Sequence, residues 1–267
     1  MQVIGLCRFS YPAMGGFQVE HTSVEERMAY LYSEPRMEER LRHFECVCLP
    51  GLRAQTDPEF TFLILVGDSM PRHWRDRLDA LIQGFPQARV VARPPGPHRQ
   101  VCQDVFNEVR DMARPCLQFR HDDDAVAVDF IAHLRQAASD CAQIVSRHRM
   151  VGFDWNRGYV ARPDARGIAV NEIVNPYWGV AQAMAVGPGV KQSVLNFAHD
   201  RINRFMPTVT FTDRAMYVRG HNDHNDSRQK KHVKPVELSP LDPDGEALFR
   251  ELFAIDADHV RRIFGAG

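Results

Sequence analysis

The run Phe60-Thr61-Phe62-Leu63-Ile64-Leu65-Val66, closed by Gly67-Asp68-Ser69, constrains this chain most. Its continuous apolar character predicts a strand buried on both faces, and from Pro71 the residues Trp74, Leu78, Ile82 and Phe85 fall along one helical stripe. The same strand, loop and helix order recurs on either side of it. Val3 to Cys7 reads as a buried strand opening onto a polar, Gly-rich loop from Ser10 to Gly16. A helix begins at Pro35, carries Met37, Leu41 and Phe44, and is expected to end before Pro50. Arg89 to Ala92 is a shorter strand, Arg93 to His98 a loop, and Val101, Val105, Val109 and Met112 a further helical stripe. Pro115 to Arg120 then reads as a strand followed by a helix with Phe130, Ile131, Leu134 and Ala138. Strands alternating with helices predict an α/β fold whose mostly parallel sheet is flanked by helices. Ligands of such sheets bind beyond the carboxyl ends of the strands, where Asp68 and Asp122 to Asp124 fall.

At 267 residues the chain suits one large α/β domain. It divides into a first half, 1–145, a second half, 146–235, and C-terminal helices after Pro243 within 236–267. The second half has strand-like pieces at Met150 to Phe153, Tyr159 to Ala161, Ala181 to Val186 and Thr208 to Phe211, and a helix is expected from about Lys191 to Phe205. A formal net charge of −1 provides no global field for nucleic acid or anionic lipid, so any anion must be gripped locally. The six cysteines lack a Cys-x-x-Cys pair and read as free thiols. The longest apolar run is far short of the ~20 residues that span a bilayer. Gln2 to Cys7 lacks the layout of a signal peptide, so a cytoplasmic protein is the expectation.

Three constellations carry chemistry. Asp122, Asp123 and Asp124 repel one another at a strand end, and a divalent cation, Mg²⁺ or Mn²⁺, would resolve that conflict. On an extended backbone Asp122 and Asp124 point the same way and both reach one ion; the alternative is a solvated acidic turn capping the next helix. In Val218 to Arg228, His221 and His224 stand among Asn and Asp and are candidate late ligands, with a polar loop of no catalytic role as the alternative. Arg8, Arg120 and the Gly67-Asp68-Ser69 turn all lie at strand ends, a rim suited to a nucleoside diphosphate, unless the arginines merely neutralise the aspartates. Gly187 to Ser193 lacks the Gly-Lys-Ser/Thr of a phosphate loop and reads as a turn.

Arg8-Phe9-Ser10, the segment Leu49 to Asp57, the Phe60 to Gly67 strand, Gln118 to Asp124 and the late His221 to Arg228 element together resemble the rhamnosyltransferase family of bacterial glycosyltransferases along nearly the whole chain. The resemblance implies a GT-A-like fold, with a Rossmann-like nucleotide half joined to an acceptor half. It also implies an Asp-x-Asp motif, matched by Asp122 and Asp124, beneath the donor diphosphate. His121 departs from the aliphatic residue expected before that motif. The activity implied is metal-dependent transfer of a sugar from a nucleoside-diphosphate sugar to a glycan or other hydroxyl acceptor. In this reading Arg8, Asp68, Arg120 and Asp123 contact the donor, and Asp122, Asp124, His221 and His224 are metal ligands. Asp200 is the candidate base, with Asp154 and Glu172 as rivals and pairing of Asp200 with Arg201 or Arg204 as the alternative. A metal-dependent phosphohydrolase and a non-catalytic sugar-nucleotide-binding protein are the competing functions.

Overall fold

A computed structural model describes residues 1–15, 21–220 and 237–266. In chain order the elements are β1 (Gln2–Arg8), α1 (Val24–Leu31), α2 (Glu34–His43), α3 (Leu49–Arg53), β2 (Thr61–Gly67), α4 (Arg72–Ile82), β3 (Ala88–Arg93), α5 (His98–Val109), β4 (Cys116–His121), β5 (Ala125–Val126), α6 (Phe130–Asp140), α7 (Ala142–Arg147), β6 (Met150–Asp164), β7 (Gly167–Val174), β8 (Ala183–Val186), β9 (Thr208–Gly220), β10 (Ser239–Pro240), α8 (Pro243–Phe253) and α9 (Ala257–Gly265). The sheet runs β10-β7-β6-β8-β4-β1-β2-β3, with β9 pairing β6 and β5 off this path. Strands β1 to β4 are mutually parallel, and β8 joins the edge of β4 in the antiparallel sense. The two halves therefore share one sheet, as the implied GT-A-like architecture requires.

Alternation along each central strand divides the core. Phe62, Ile64 and Val66 of β2 enter a layer with α2, α4 and α6, while Leu63 and Leu65 enter the opposite layer with Cys102, Val105 and Phe106 of α5. All six cysteines are free thiols. Among the described residues no helix is long and apolar enough to cross a membrane.

Three local expectations are corrected. The second helix does not end before Pro50: α2 passes through a π-helical stretch, Phe44–Cys48, directly into α3. Widening the helix by one residue per turn lets the chain continue past a proline that lacks the N–H an α-helical interior demands. The helix expected from Lys191 to Phe205 is two 3₁₀ turns, Val194–Asn196 and His199–Arg204. Tertiary partners take the groups that an α-helix would use: Gln118 Oε1 accepts from Val194 N at 3.0 Å, and Arg120 Nη2 donates to the carbonyls of Val194 and Phe197. The strand pieces near 150 and 160 are one strand, because Asp154 and Trp155 between them are buried where β9 pairs along β6 through a register shift.

Candidate active site

The carboxyl ends of β1, β2 and β4 converge with the end of β9. The chain bends at Asp122 and Asp123 and is not extended, so the expected side-by-side display of Asp122 and Asp124 is replaced by a split. Asp122 and Asp123 share one cation, Arg40 of α2. Its Nη2 contacts Asp122 Oδ1 and also donates to the Arg8 carbonyl at 2.8 Å, and its Nη1 lies 3.2 Å from Asp123 Oδ2. Burial by itself would lower the pKa of this guanidinium, but the two aspartates hold it well above the ordinary value. Arg8 Nη2 adds a longer contact of 3.6 Å to Asp122 Oδ2.

Asp124 is turned inward. Its Oδ1 accepts from Gly220 N at 3.2 Å, and no Lys, Arg or His of the described residues comes within ion-pair distance of it. Burial, then the charge of Asp123, pushes its carboxyl well above the ordinary range, while Arg219 and the Gly220 N–H oppose the rise. Beside it, burial depresses His43 and His121 to about 4, so both rings are neutral. His121 takes its unexpected place as a core residue, edge-on to Phe62 at 5.4 Å with Nε2 3.1 Å from Cys48 Sγ.

Beside the acidic end the strand ends are basic. Arg8 Nη1 lies 3.1 Å from His98 Nε2, and burial together with Arg8 pushes His98 down to about 3. Burial, then the charge of Arg8, brings Arg120 down to about 9. Asp68 is exposed at the end of β2, and Tyr11 donates to the Pro94 carbonyl at 2.7 Å to close the floor beside it.

Across the crevice the second half supplies a different wall. Asp154 of β6 is fully buried, and its Oδ2 accepts from Tyr177 N at 3.1 Å. The Tyr177 carbonyl lies 2.7 Å from His199 Nδ1, and Gln182 Nε2 donates to the His199 carbonyl at 3.1 Å. Asp200 is exposed and its Oδ2 lies 3.5 Å from Arg201 Nε, while Glu172 pairs with Arg157 at 2.7 Å on the exposed β6–β7 hairpin. Arg219 stacks over Trp178 with its guanidinium carbon 4.3 Å from the ring centroid.

The donor set suits a hard cation. Oxygen ligands dominate at Asp122 to Asp124, and Asp124 is a crowded carboxyl held without an ion-pair partner among the described residues, the arrangement that a divalent ion relieves. Among the described residues no three His, Cys, Asp or Glu side chains are already gathered into a metal cage. His221 and His224 lie outside the described residues; Gly220, just before them, stands at the Asp124 carboxylate.

Arg40 is the residue that sequence reasoning missed. Its signal was present: Arg36, Arg40 and His43 recur at helical spacing beside the Met37, Leu41 and Phe44 stripe, and all three are buried. Arg36 Nη1 donates to Ser10 Oγ at 3.0 Å, so this polar face of α2 lies along the strand ends.

The profile of a family described as "Putative rhamnosyl transferase" matches residues 2–234. No curated protein sequence matches the chain. Among solved structures, TarS 1-349 of S. aureus is similar over 82% of this chain and 60% of its own length, at 10% identity and a TM-score of 0.40. The chain thus spans less than two thirds of that protein. The same fragment in complex with UDP-GlcNAc is covered over 71% of its length by the whole of this chain, at 11% identity and a TM-score of 0.42. HddC of Yersinia pseudotuberculosis is similar over 79% of this chain and 90% of its own, at 8% identity and a TM-score of 0.36. With its profile matching most of the sequence, the chain belongs to the rhamnosyl transferase family.

Proposed function

We propose that this member of the rhamnosyl transferase family moves a sugar, rhamnose by the family's description, from a nucleoside-diphosphate donor to a hydroxyl of a glycan or small-molecule acceptor, with Mg²⁺ or Mn²⁺ bound at the Asp122 to Asp124 end and Asp124 as its principal ligand. The observation that carries this reading is the split of the three aspartates, in which Arg40 neutralises two carboxylates and leaves Asp124 crowded and without a cation of its own among the described residues.

The donor would lie across the carboxyl ends of β1, β2 and β4. Asp68, exposed and acceptor-only when ionised, is placed to take hydrogen bonds from the ribose or base. The charge of Arg8 weighs on Arg120, which a diphosphate between them would relieve, and both guanidinium groups would stabilise the negative charge gathering on the departing nucleoside diphosphate. Arg120 also braces the 194–197 segment, so the phosphate side and the acceptor wall are built on one residue. A bound cation would supply further stabilisation of the leaving diphosphate. Arg40 holds Asp123 in place beneath the donor, and the proton of the attacking hydroxyl would pass to the wall of the second half.

The test is calorimetric titration of UDP-GlcNAc and dTDP-rhamnose, with and without Mn²⁺, on the wild type, Asp122→Asn and Asp124→Asn. Asn at 124 keeps an oxygen for the Gly220 N–H and removes a costly charge, so the fold is expected to stand. Donor affinity in the presence of Mn²⁺ should fall at least about tenfold, roughly 1.4 kcal/mol. Unchanged Mn²⁺-dependent affinity in both variants removes this reading.

A further inference from the structure

We propose that His199 is the general base of the transfer reaction, accepting the hydroxyl proton at Nε2, and that Tyr177 and Asp154 are positioning residues that hold its ring. The proposal rests on the transferase reading above and reassigns the role given by sequence to Asp200.

The tautomer follows from the neighbour. His199 Nδ1 lies 2.7 Å from the Tyr177 carbonyl oxygen, which can only accept, so Nδ1 carries the hydrogen. A neutral imidazole has one N–H, and Nε2 is therefore a bare lone pair. That nitrogen makes no hydrogen bond to any described residue, and the ring is only half-buried.

The carbonyl that sets the tautomer is held at a cost. Tyr177, Gly179 and Ala181 all have positive φ, at 59°, 85° and 51°, and for the tyrosine and the alanine this is a disfavoured conformation. The loop is kept there by Tyr177 N donating to buried Asp154 and by Gln182 donating to the His199 carbonyl. Gly179 packs so closely on the imidazole that a Cβ would sit 3.0 Å from its Cγ. Strain concentrated around one ring is a mark of a group whose orientation matters.

The position is also right. Gln182, which donates to the His199 carbonyl, accepts from Arg120 N of β4 at 3.2 Å, and Arg219, stacked on Trp178 of the same loop, is followed by Gly220 on the Asp124 carboxylate, so this loop borders the acidic end of β4. Arg120 of β4 and Arg219 of β9 face the imidazole from the neighbouring elements, and Asp200 stands beside it on its own turn. Burial, then the two arginines, holds His199 below the ordinary imidazole range, while its hydrogen bond to Tyr177 and Asp200 oppose the shift. The ring is thus unprotonated at neutral pH and free to accept. The rivals lack one requirement each: Asp154 has no exposed surface, Glu172 is paired on the hairpin, and Asp200 has 58% of its side chain in solvent beside Arg201.

In the step, the acceptor hydroxyl gives its proton to Nε2 as its oxygen bonds to the anomeric carbon. The bond from that carbon to the diphosphate oxygen breaks, and its electron pair leaves with the nucleoside diphosphate. The imidazolium then returns its proton to solvent. Attack opposite the leaving group makes the enzyme inverting.

The experiment uses three readouts on the full chain: donor affinity for UDP-GlcNAc and dTDP-rhamnose with Mn²⁺, the rate of nucleoside diphosphate release with water as acceptor, and the ¹⁵N chemical shifts of the His199 ring. The wild type should show the neutral Nδ1–H tautomer. His199→Gln should bind donor within about twofold of wild type, lose about 100-fold or more in kcat, and lose the acidic limb of the pH–rate profile. Asp154→Asn should lose kcat to a smaller extent and admit the other tautomer. An Nε2–H tautomer in the wild type, a kcat in His199→Gln near that of the wild type, or loss of kcat in Asp200→Asn alone would each overturn the assignment while leaving the transferase reading in place. Failure of the wild type to bind either donor would overturn both.

Discussion

At the scale of single residues the site depends on Arg40, whose guanidinium is buried 5.5 Å above the Phe9 ring and joins β1 to two aspartates after β4. Arg40→Met keeps the volume and removes the charge, taking from Asp122 and Asp123 the guanidinium that they share. Breaking a buried pair in this way costs about 3–5 kcal/mol, which guanidinium chloride unfolding at pH 7 should read directly. The loss should shrink toward pH 4 as the two carboxylates take up protons. The buried histidines set a second pH dependence. In the unfolded chain their rings protonate near the ordinary 6.5, but His98 resists to about 3 and His43 and His121 to about 4. Below about pH 6.5 the unfolded state therefore binds more protons, and stability is lost as pH falls toward 4, with a limiting slope of roughly 4 kcal/mol per pH unit for three sites. The raised carboxyl of Asp124 works in the opposite direction, one group against three. Unfolding free energies at pH 7, 6 and 5 should decline, and His98→Gln should reduce the net slope by about half.

At the scale of elements, the α2, π-turn and α3 succession brings a helix against the strand that follows the aspartates. Gly51 is the point of contact: a Cβ there would meet the Val126 carbonyl oxygen at 2.2 Å, and that backbone belongs to β5. Gly51→Ala must therefore push α3 away from β5, at a cost of about 1–3 kcal/mol in thermal unfolding, and should weaken donor binding because β5 continues directly from Asp124. The strands and helices of the first half were legible because each is a buried run or a single apolar stripe, as with Phe60 to Val66 and Trp74 with Leu78. The 191–205 segment was misread because its decisive partners, Gln118 and Arg120, are over 70 residues away in sequence. Local periodicity carries no trace of a hydrogen bond from a distant side chain.

At the scale of the whole molecule, the family profile ends at residue 234, yet α8 and α9 belong to the core. Phe249 and Phe253 pack on Tyr159 with ring centroids 5.0 and 6.0 Å away, and His43, beneath the acidic end, meets Phe264 edge-on at 5.6 Å. Removing 241–267 would expose Phe249, Phe253 and the interior they cover. At about 1.5–3 kcal/mol for each large apolar side chain, with Val260 as a third, the loss rivals the whole stability of a typical domain. The truncated chain should lack a cooperative thermal transition and near-ultraviolet circular dichroism; a cooperative transition within a few degrees of the full chain would contradict this. By itself the sequence determined the alternation of strands and helices, the parallel order of the first half and the acidic end of β4, because burial period and charge crowding are local properties. Only the tertiary structure decided that Arg40 would claim two of the three aspartates, that Asp124 would turn to Gly220, and that His199 would meet the Tyr177 carbonyl. Each of these depends on which distant groups the folded chain brings within hydrogen-bond reach, and no spacing along the sequence encodes that distance.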